Sequence, residues 1–118
     1  MEKEFYKQLK SFLKELIIVF PEDDEQLQLV ATSINLAIID DDNYSIISSF
    51  YNALLPVQSK IDKRDRTFIS GIQWKLDSYE YKLFCKLNDQ WEHFSDNNQE
   101  VIWQYINLLF KLSSNIFR

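Results

Sequence analysis

The chain has 118 residues and a formal net charge of −5 at pH 7, with only one glycine, two prolines, one histidine and one cysteine beside 9 Phe, 6 Tyr and 3 Trp. Glycine supplies the strained turns of phosphate loops and nucleophile elbows, while histidine and cysteine supply most metal ligands and much acid–base chemistry. The composition therefore disfavours an enzyme and predicts no catalytic residue, no metal site and no cofactor. The acidity disfavours non-specific binding to nucleic acid or to an anionic membrane, because polyanions repel an acidic protein.

Helical periodicity runs along nearly the whole chain and predicts an all-α fold, a compact bundle of five to six helices in one domain covering residues 1–118. The lone Cys85 excludes an internal disulfide and is typical of a reducing compartment. No signal-peptide core and no apolar run of about 20 residues is present. We therefore expect an intracellular protein, cytoplasmic or nuclear, without a membrane span.

The first helix is predicted from Lys3 to Phe20 and ends before Pro21, because the residue preceding a proline avoids the helical conformation. Its apolar residues recur at three- and four-residue steps on one face: Phe5, Leu9, Phe12, Leu13, Leu16 and Phe20. A stripe of four lysines runs beside that face: Lys3, Lys7, Lys10 and Lys14. We interpret the stripe as a solvated helix edge whose lysine stems cover the rim of the core.

The second helix is predicted from Asp24 to Ile39, with Asp23 or Asp24 as its N-cap. One apolar stripe comprises Leu27, Val30, Ala31, Ile34 and Ile38. Leu29 and Leu36 lie on another side of this helix. A helix that is apolar on two sides usually lies between neighbours, and we expect this position here.

The third helix is predicted from Asn43 to Leu55 and is preceded by Asp40, Asp41 and Asp42. These aspartates are not a calcium loop, because the positions that need glycine and a bidentate glutamate hold other residues. We interpret them as an N-cap and as favourable charge at the positive end of the helix dipole. Together with residues 22–25 they form two acidic clusters, which are either solvated caps or an anionic patch for a basic protein partner.

From Phe68 to Phe94 one apolar stripe continues without a change of phase, which predicts a single long helix. The capping-box pattern from Asp77 to Glu80 predicts instead a break near Asp77. In a single helix Trp74, Tyr81 and Cys85 would share an exposed face, which would be a protein-contact site. With a break, both aromatic side chains would turn into the core, and the sequence leaves the two alternatives open.

The last helix follows the turn at residues 95–98, carries a capping-box pattern at Asn97 and Glu100, and is predicted to end near Phe117. Apolar residues cover well over half of its circumference. Such a helix is either central in its domain or half of an oligomer interface, and the common architecture of small bundles favours the central position.

The strongest candidates for phosphate contacts are four basic residues in one stretch: Lys60, Lys63, Arg64 and Arg66. They support a nucleic-acid-associated factor as the alternative function, although Asp62 and Asp65 cancel much of their charge. The lone His93 has no second histidine with which to bind metal, and positive charge near a helix C-terminus is sufficient reason for it.

A resemblance rests on Phe20-Pro21, on Ile61 followed by Arg64-Asp65 and Phe68, on Trp91, and on the closing stretch from Ile102 to Leu109. These elements resemble the short, uncharacterised helical proteins encoded by large eukaryotic DNA viruses. The resemblance implies a virus-encoded accessory or virion-associated protein and carries over no site residue.

The sequence thus predicts a non-enzymatic protein-interaction or structural module that engages a protein partner or itself. The residues predicted to bind the partner are Trp74, Tyr81, Asp40, Asp41 and Asp42.

Overall fold

A computed structural model describes residues 2–20, 25–39, 44–71 and 78–117, with side chains described up to residue 68 in the third range. These residues form α-helices and short 3₁₀ segments, with no strand among them. The helices are α1 (Glu2–Val19), α2 (Glu25–Ile39), α3 (Ser45–Leu54), α4 (Gln58–Asp62), α5 (Tyr79–Gln90) and α6 (Asp96–Phe117). The prediction of an all-α bundle is confirmed. Its radius of gyration, 13.3 Å, is close to the value expected for a compact chain of about 100 residues.

Helix α6 lies at the centre of the packing, as predicted, because it contacts α1, α3 and α4. Helix α2 packs against α5 and α1. All six apolar residues of the stripe predicted for the first helix are buried. The same holds for the five core residues predicted in α2. Periodicity therefore identified the inward faces of both helices.

A continuous series of contacting aromatic rings, called the aromatic chain below, runs through the core. It starts near the N-terminal end of α1 and finishes at the C-terminal end of the same helix. In contact order the rings are Phe5, Phe50, Phe84, Phe68, Trp103, Trp91, Phe94 and Phe20. Neighbouring centroids lie between 5.3 and 6.3 Å apart, mostly edge to face. Such pairs stabilise by about 0.5–1.5 kcal/mol each beyond the burial of their area.

The apolar stripe from Phe68 to Phe94 does not form one α-helix, because Phe68 lies in a 3₁₀ segment, Arg66–Gly71, and α5 has its own start. Helix α5 begins at Tyr79, and the Oγ of Ser78 caps it by accepting a hydrogen bond from the Tyr81 N–H at 3.2 Å. The predicted break near Asp77 is therefore correct, and the cap lies one residue later than the pattern indicated. Tyr79 lies at a position of the apolar stripe that runs from Phe68 to Phe94, but it is exposed. Phe84 is buried instead, on the inward face of α5.

The N-terminus of α6 also differs from the capping pattern. The Oγ of Ser95 accepts from the Asn98 N–H at 3.1 Å, so the helix begins before Asn97. Gln99 donates from its side chain to the carbonyls of Trp91 and Phe94 at 3.0 and 3.3 Å, tying the preceding 3₁₀ turn to the helix.

The start of α3 lacks the expected acidic side chain in the capping position. Tyr44 occupies its N-cap in the left-handed conformation, with φ 54°, and its side chain makes no capping hydrogen bond. The expected aspartate N-cap is therefore wrong, because the N-cap is Tyr44. Asp40, Asp41 and Asp42 lie outside the described residues, so their favourable charge at the helix dipole stays a prediction.

Replacing a ring inside the aromatic chain should destabilise the fold far more than replacing an exposed leucine. We expect Phe84→Ala to lower the free energy of unfolding by about 3–5 kcal/mol, because it removes a fully buried ring and leaves a cavity. Leu36→Ala, at an exposed position, should change it by about 0.5 kcal/mol or less. Urea unfolding followed by circular dichroism measures both, and equal losses would contradict the assignment of the core.

The cap of α5 gives a second test of the fold. We expect Ser78→Ala to cost about 1 kcal/mol of unfolding free energy, because the Tyr81 N–H loses its acceptor. Ser78→Asp is the matched control, since aspartate also caps and should retain most of the stability. If alanine and aspartate behaved alike in urea unfolding, Ser78 would not be the cap.

Candidate protein-interaction surface

Helix α2 presents large aliphatic side chains away from the core. Leu29, Leu36 and Ile39, which we call the α2 face, are 65%, 60% and 72% exposed. Their spacing places them on one side of the helix. No residue from Gln26 to Ile39 is charged. The expectation that neighbours cover both apolar sides of this helix is therefore wrong for the described part of the chain, because α1 and α5 contact it while the α2 face stays exposed.

A groove of about 430 Å³ runs along one side of α2, between α1 and α2. Its lining residues are Lys10, Leu13, Lys14, Ile17, Asn35 and Ile39. Ile18, which is near the end of α1 and is not part of this lining, is 68% exposed. The Oδ1 atom of Asn35 is buried and has no hydrogen-bond partner among the described residues. The α1–α2 groove therefore extends the apolar α2 face toward α1.

A second groove, of about 440 Å³, lies between α2 and α5 and holds the predicted residue Tyr81. Tyr81 is half-buried beside Leu29, so it is neither fully exposed nor in the core. The thiol of Cys85, one helical turn away, raises the pKa of Tyr81 because its interaction with the phenol favours the protonated form. Cys85 is half-buried in the same wall.

Polar contacts in the second groove tie its two walls together. Lys86 on α5 donates from Nζ to Oε1 of Gln26 on α2 at 3.4 Å, which joins the two walls. Within the α5 wall, the ammonium of Lys82 lies 5.2 Å from the centre of the Tyr79 ring. Of the residues predicted to bind a partner, only Tyr81 falls within the described structure. Trp74, Asp40, Asp41 and Asp42 lie outside it.

Sequence reasoning missed the main members of this surface. Leu29 and Leu36 were expected to be covered by neighbours within the bundle, and Ile17, Ile18 and Ile39 were not singled out. The uncharged run from Gln26 to Ile39 marks α2 as apolar on two sides, but it does not show whether this chain or a partner covers the second side.

Both arginines of the basic stretch have acidic partners. Arg64 donates from Nε and Nη2 to the two carboxylate oxygens of Glu100 at 3.2 and 3.1 Å. Arg66 contacts Glu92 at 3.3 Å and the carbonyl and side-chain oxygens of Asn88. The two arginines thus link this stretch to α6 and to the end of α5.

The two lysines of the basic stretch have different surroundings. Lys60 is half-buried in α4, while Lys63 is exposed just after that helix. Asp65 caps the segment that follows it, since its Oδ1 accepts from the N–H and hydroxyl of Thr67 at 3.0 and 2.7 Å, and these bonds lower the pKa of Asp65. The segment that it caps is 3₁₀ rather than α-helical.

Other kinds of site have little support in the described part of the chain. No three His, Cys, Asp or Glu side chains described here lie together as a metal-binding group, and His93 is exposed. Among the described helices, none combines the length and apolar character required to cross a membrane. No protein-family model, curated protein or solved structure matches this chain at a significant level.

The pairing of Arg64 with Glu100 predicts a pH dependence of stability. Hydrogen bonds from Arg64 and then from Gln104 hold the pKa of Glu100 below its ordinary value of 4.5. A carboxyl group with a depressed folded-state pKa stabilises the fold above the unfolded-state pKa, and this contribution is lost as pH falls through the folded-state value. Between about pH 5 and about pH 3, Glu100→Gln should therefore lose less stability than the wild type.

Urea unfolding at stepped pH measures this difference. Arg64→Gln should flatten the pH dependence in the same way, and combining the two substitutions should add little further change. Parallel pH curves for the wild type and both single variants would show that the pair contributes nothing to acid sensitivity.

Proposed function

We propose that this chain is a non-enzymatic protein-interaction module that binds a protein partner through the α2 face. The observation that carries the proposal is the exposure of Leu29, Leu36 and Ile39 on a helix without charge from Gln26 to Ile39. Single exposed leucines are ordinary, but neighbouring large aliphatic side chains on one helix face are typical of contact sites. Burial of such area stabilises a complex by about 25 cal/mol per Å² before the costs of association.

The surroundings of the α2 face support this role. A groove lies on each side of α2, so a partner could surround the exposed leucines rather than touch them on a flat surface. Lysines and Tyr81 stand around the apolar centre. An apolar centre with a polar rim is the usual composition of protein interfaces. The resemblance to helical proteins of large DNA viruses agrees with an accessory or virion-associated role, which we include in the proposal.

The alternative, a nucleic-acid-associated factor, has weaker support. Arg64 and Arg66 would have to leave Glu100 and Glu92 to reach phosphate. Breaking an exposed ion pair costs only about 0–1 kcal/mol. While these pairs are formed, however, the carboxylates neutralise the positive charge that phosphate binding requires.

Site-specific photo-crosslinking in the cells that naturally make the protein tests the proposal. With benzoylphenylalanine at Leu36 or Leu29, we expect one discrete protein adduct, because both positions belong to the α2 face. Leu55 is the matched control, since it is an exposed leucine outside this face.

Adding Ile39→Glu should abolish the adduct, because a carboxylate would be buried against the partner without a compensating charge. Equal crosslinking at Leu55, or no adduct at either α2 position, would contradict the proposal.

A further inference from the structure

The lysine stripe lies along one side of α1, and the exposed apolar residue Ile17 follows it on the same side. Its four members, Lys3, Lys7, Lys10 and Lys14, are all exposed. Their steps of four and three residues place them along one side of α1 over about 16 Å, at 1.5 Å per residue. None of them forms an ion pair with a residue in the described ranges. Ile17, 41% exposed, follows on the same side.

The stripe also forms one wall of the α1–α2 groove. Lys10 and Lys14 line it, and its apolar lining comes from Leu13, Ile17 and Ile39. No carboxylate is among the described residues that line it. The groove therefore combines an apolar surface with positive charge along one side.

Resting on the function proposed above, we propose that the α1–α2 groove binds an acidic amphipathic helix of a partner protein. The apolar side of that helix packs on Ile17, Leu36 and Ile39. Its carboxylates, spaced three and four residues apart, face the lysine stripe. This is the helix-in-groove mode of recognition, in which apolar anchors recur at helical spacing. The matching length of about 16 Å corresponds to three turns of helix.

A second copy of this chain fits the groove less well than an acidic helix does. A two-fold interface buries the same patch from both copies. Two stripes of four lysines would then enter one interface, with no carboxylate in the described lining of the groove to separate them. Like charges brought together in this way oppose association.

An anionic membrane is also a poorer fit than an acidic helix. Lysines beside exposed isoleucines would attract such a surface, but a flat bilayer does not fill a groove of about 430 Å³.

Fluorescence anisotropy with two labelled synthetic peptides tests the proposal. Both are capped 16-residue helices with leucine at positions 2, 6, 9 and 13, and the flanking charged positions are glutamate in one and lysine in the other. At about 50 mM salt we expect the glutamate peptide to bind at least about tenfold more tightly than the lysine peptide, and its affinity should fall as salt is raised.

Two double variants, each replacing two lysines by glutamate, test whether the preference for the glutamate peptide comes from the lysine stripe. Lys10→Glu with Lys14→Glu should weaken binding of the glutamate peptide at least about tenfold, because it reverses the charge beside the groove. Lys63→Glu with Lys111→Glu makes the same change in net charge at exposed lysines elsewhere and should change affinity less than about threefold. Leu36→Ser should weaken binding through the apolar side.

Several results would overturn the acidic-helix proposal. Equal binding of the two peptides, or no binding of the glutamate peptide, would do so directly. Light scattering that showed a dimer abolished by Ile39→Glu would identify a second copy as the occupant. Stronger binding to phosphatidylserine vesicles than to the glutamate peptide would identify lipid. If crosslinks formed at Leu36 while the glutamate peptide failed to bind, only the acidic-helix proposal would fail, whereas loss of both results would remove the function proposed above as well.

Discussion

The fold depends on the continuous contact of aromatic rings that joins the two ends of α1 through the rest of the core. Phe5 and Phe20 are its first and last members. Between them the contacts pass through α3, α5, the segment at Phe68 and α6, so the position of each element is set by rings from at least two others. Because rings are large and rigid, a shift of one element would open gaps along the whole chain of contacts.

Because aromatic residues fill the core, the large aliphatic residues on the surface need a separate explanation. The largest fully buried side chains are phenylalanines, whereas the most exposed large apolar residues are Ile18, Leu29, Leu36 and Ile39. The core is filled without these four, so folding stability does not account for their size or their apolar character. Their exposure lowers solubility, and this is why the proposed contact with a partner is placed at these residues.

Sequence periodicity predicted most of the fold because each helix has one clear inward face. It did not predict whether α5 was continuous with the preceding segment, since the apolar phase stays unchanged across the break and only the capping chemistry near Ser78 marks it. The exposure of Leu29 and Leu36 could not be predicted, because two apolar sides on α2 do not reveal how many neighbours the helix has. The pairing of Arg64 with Glu100, 36 residues apart, depends on tertiary packing in the same way.

Net charge is a poor guide to what this protein attracts. The chain carries −5 overall, yet both arginines of the basic stretch are paired with carboxylates while the lysines of α1 form no ion pair with described residues. At physiological ionic strength electrostatic interactions extend about 8 Å, so a partner in the α1–α2 groove interacts most strongly with the charged residues that line it, which are Lys10 and Lys14. In the proposed complex with an acidic helix, the apolar α2 face would contribute affinity and the lysine stripe would contribute orientation and selectivity.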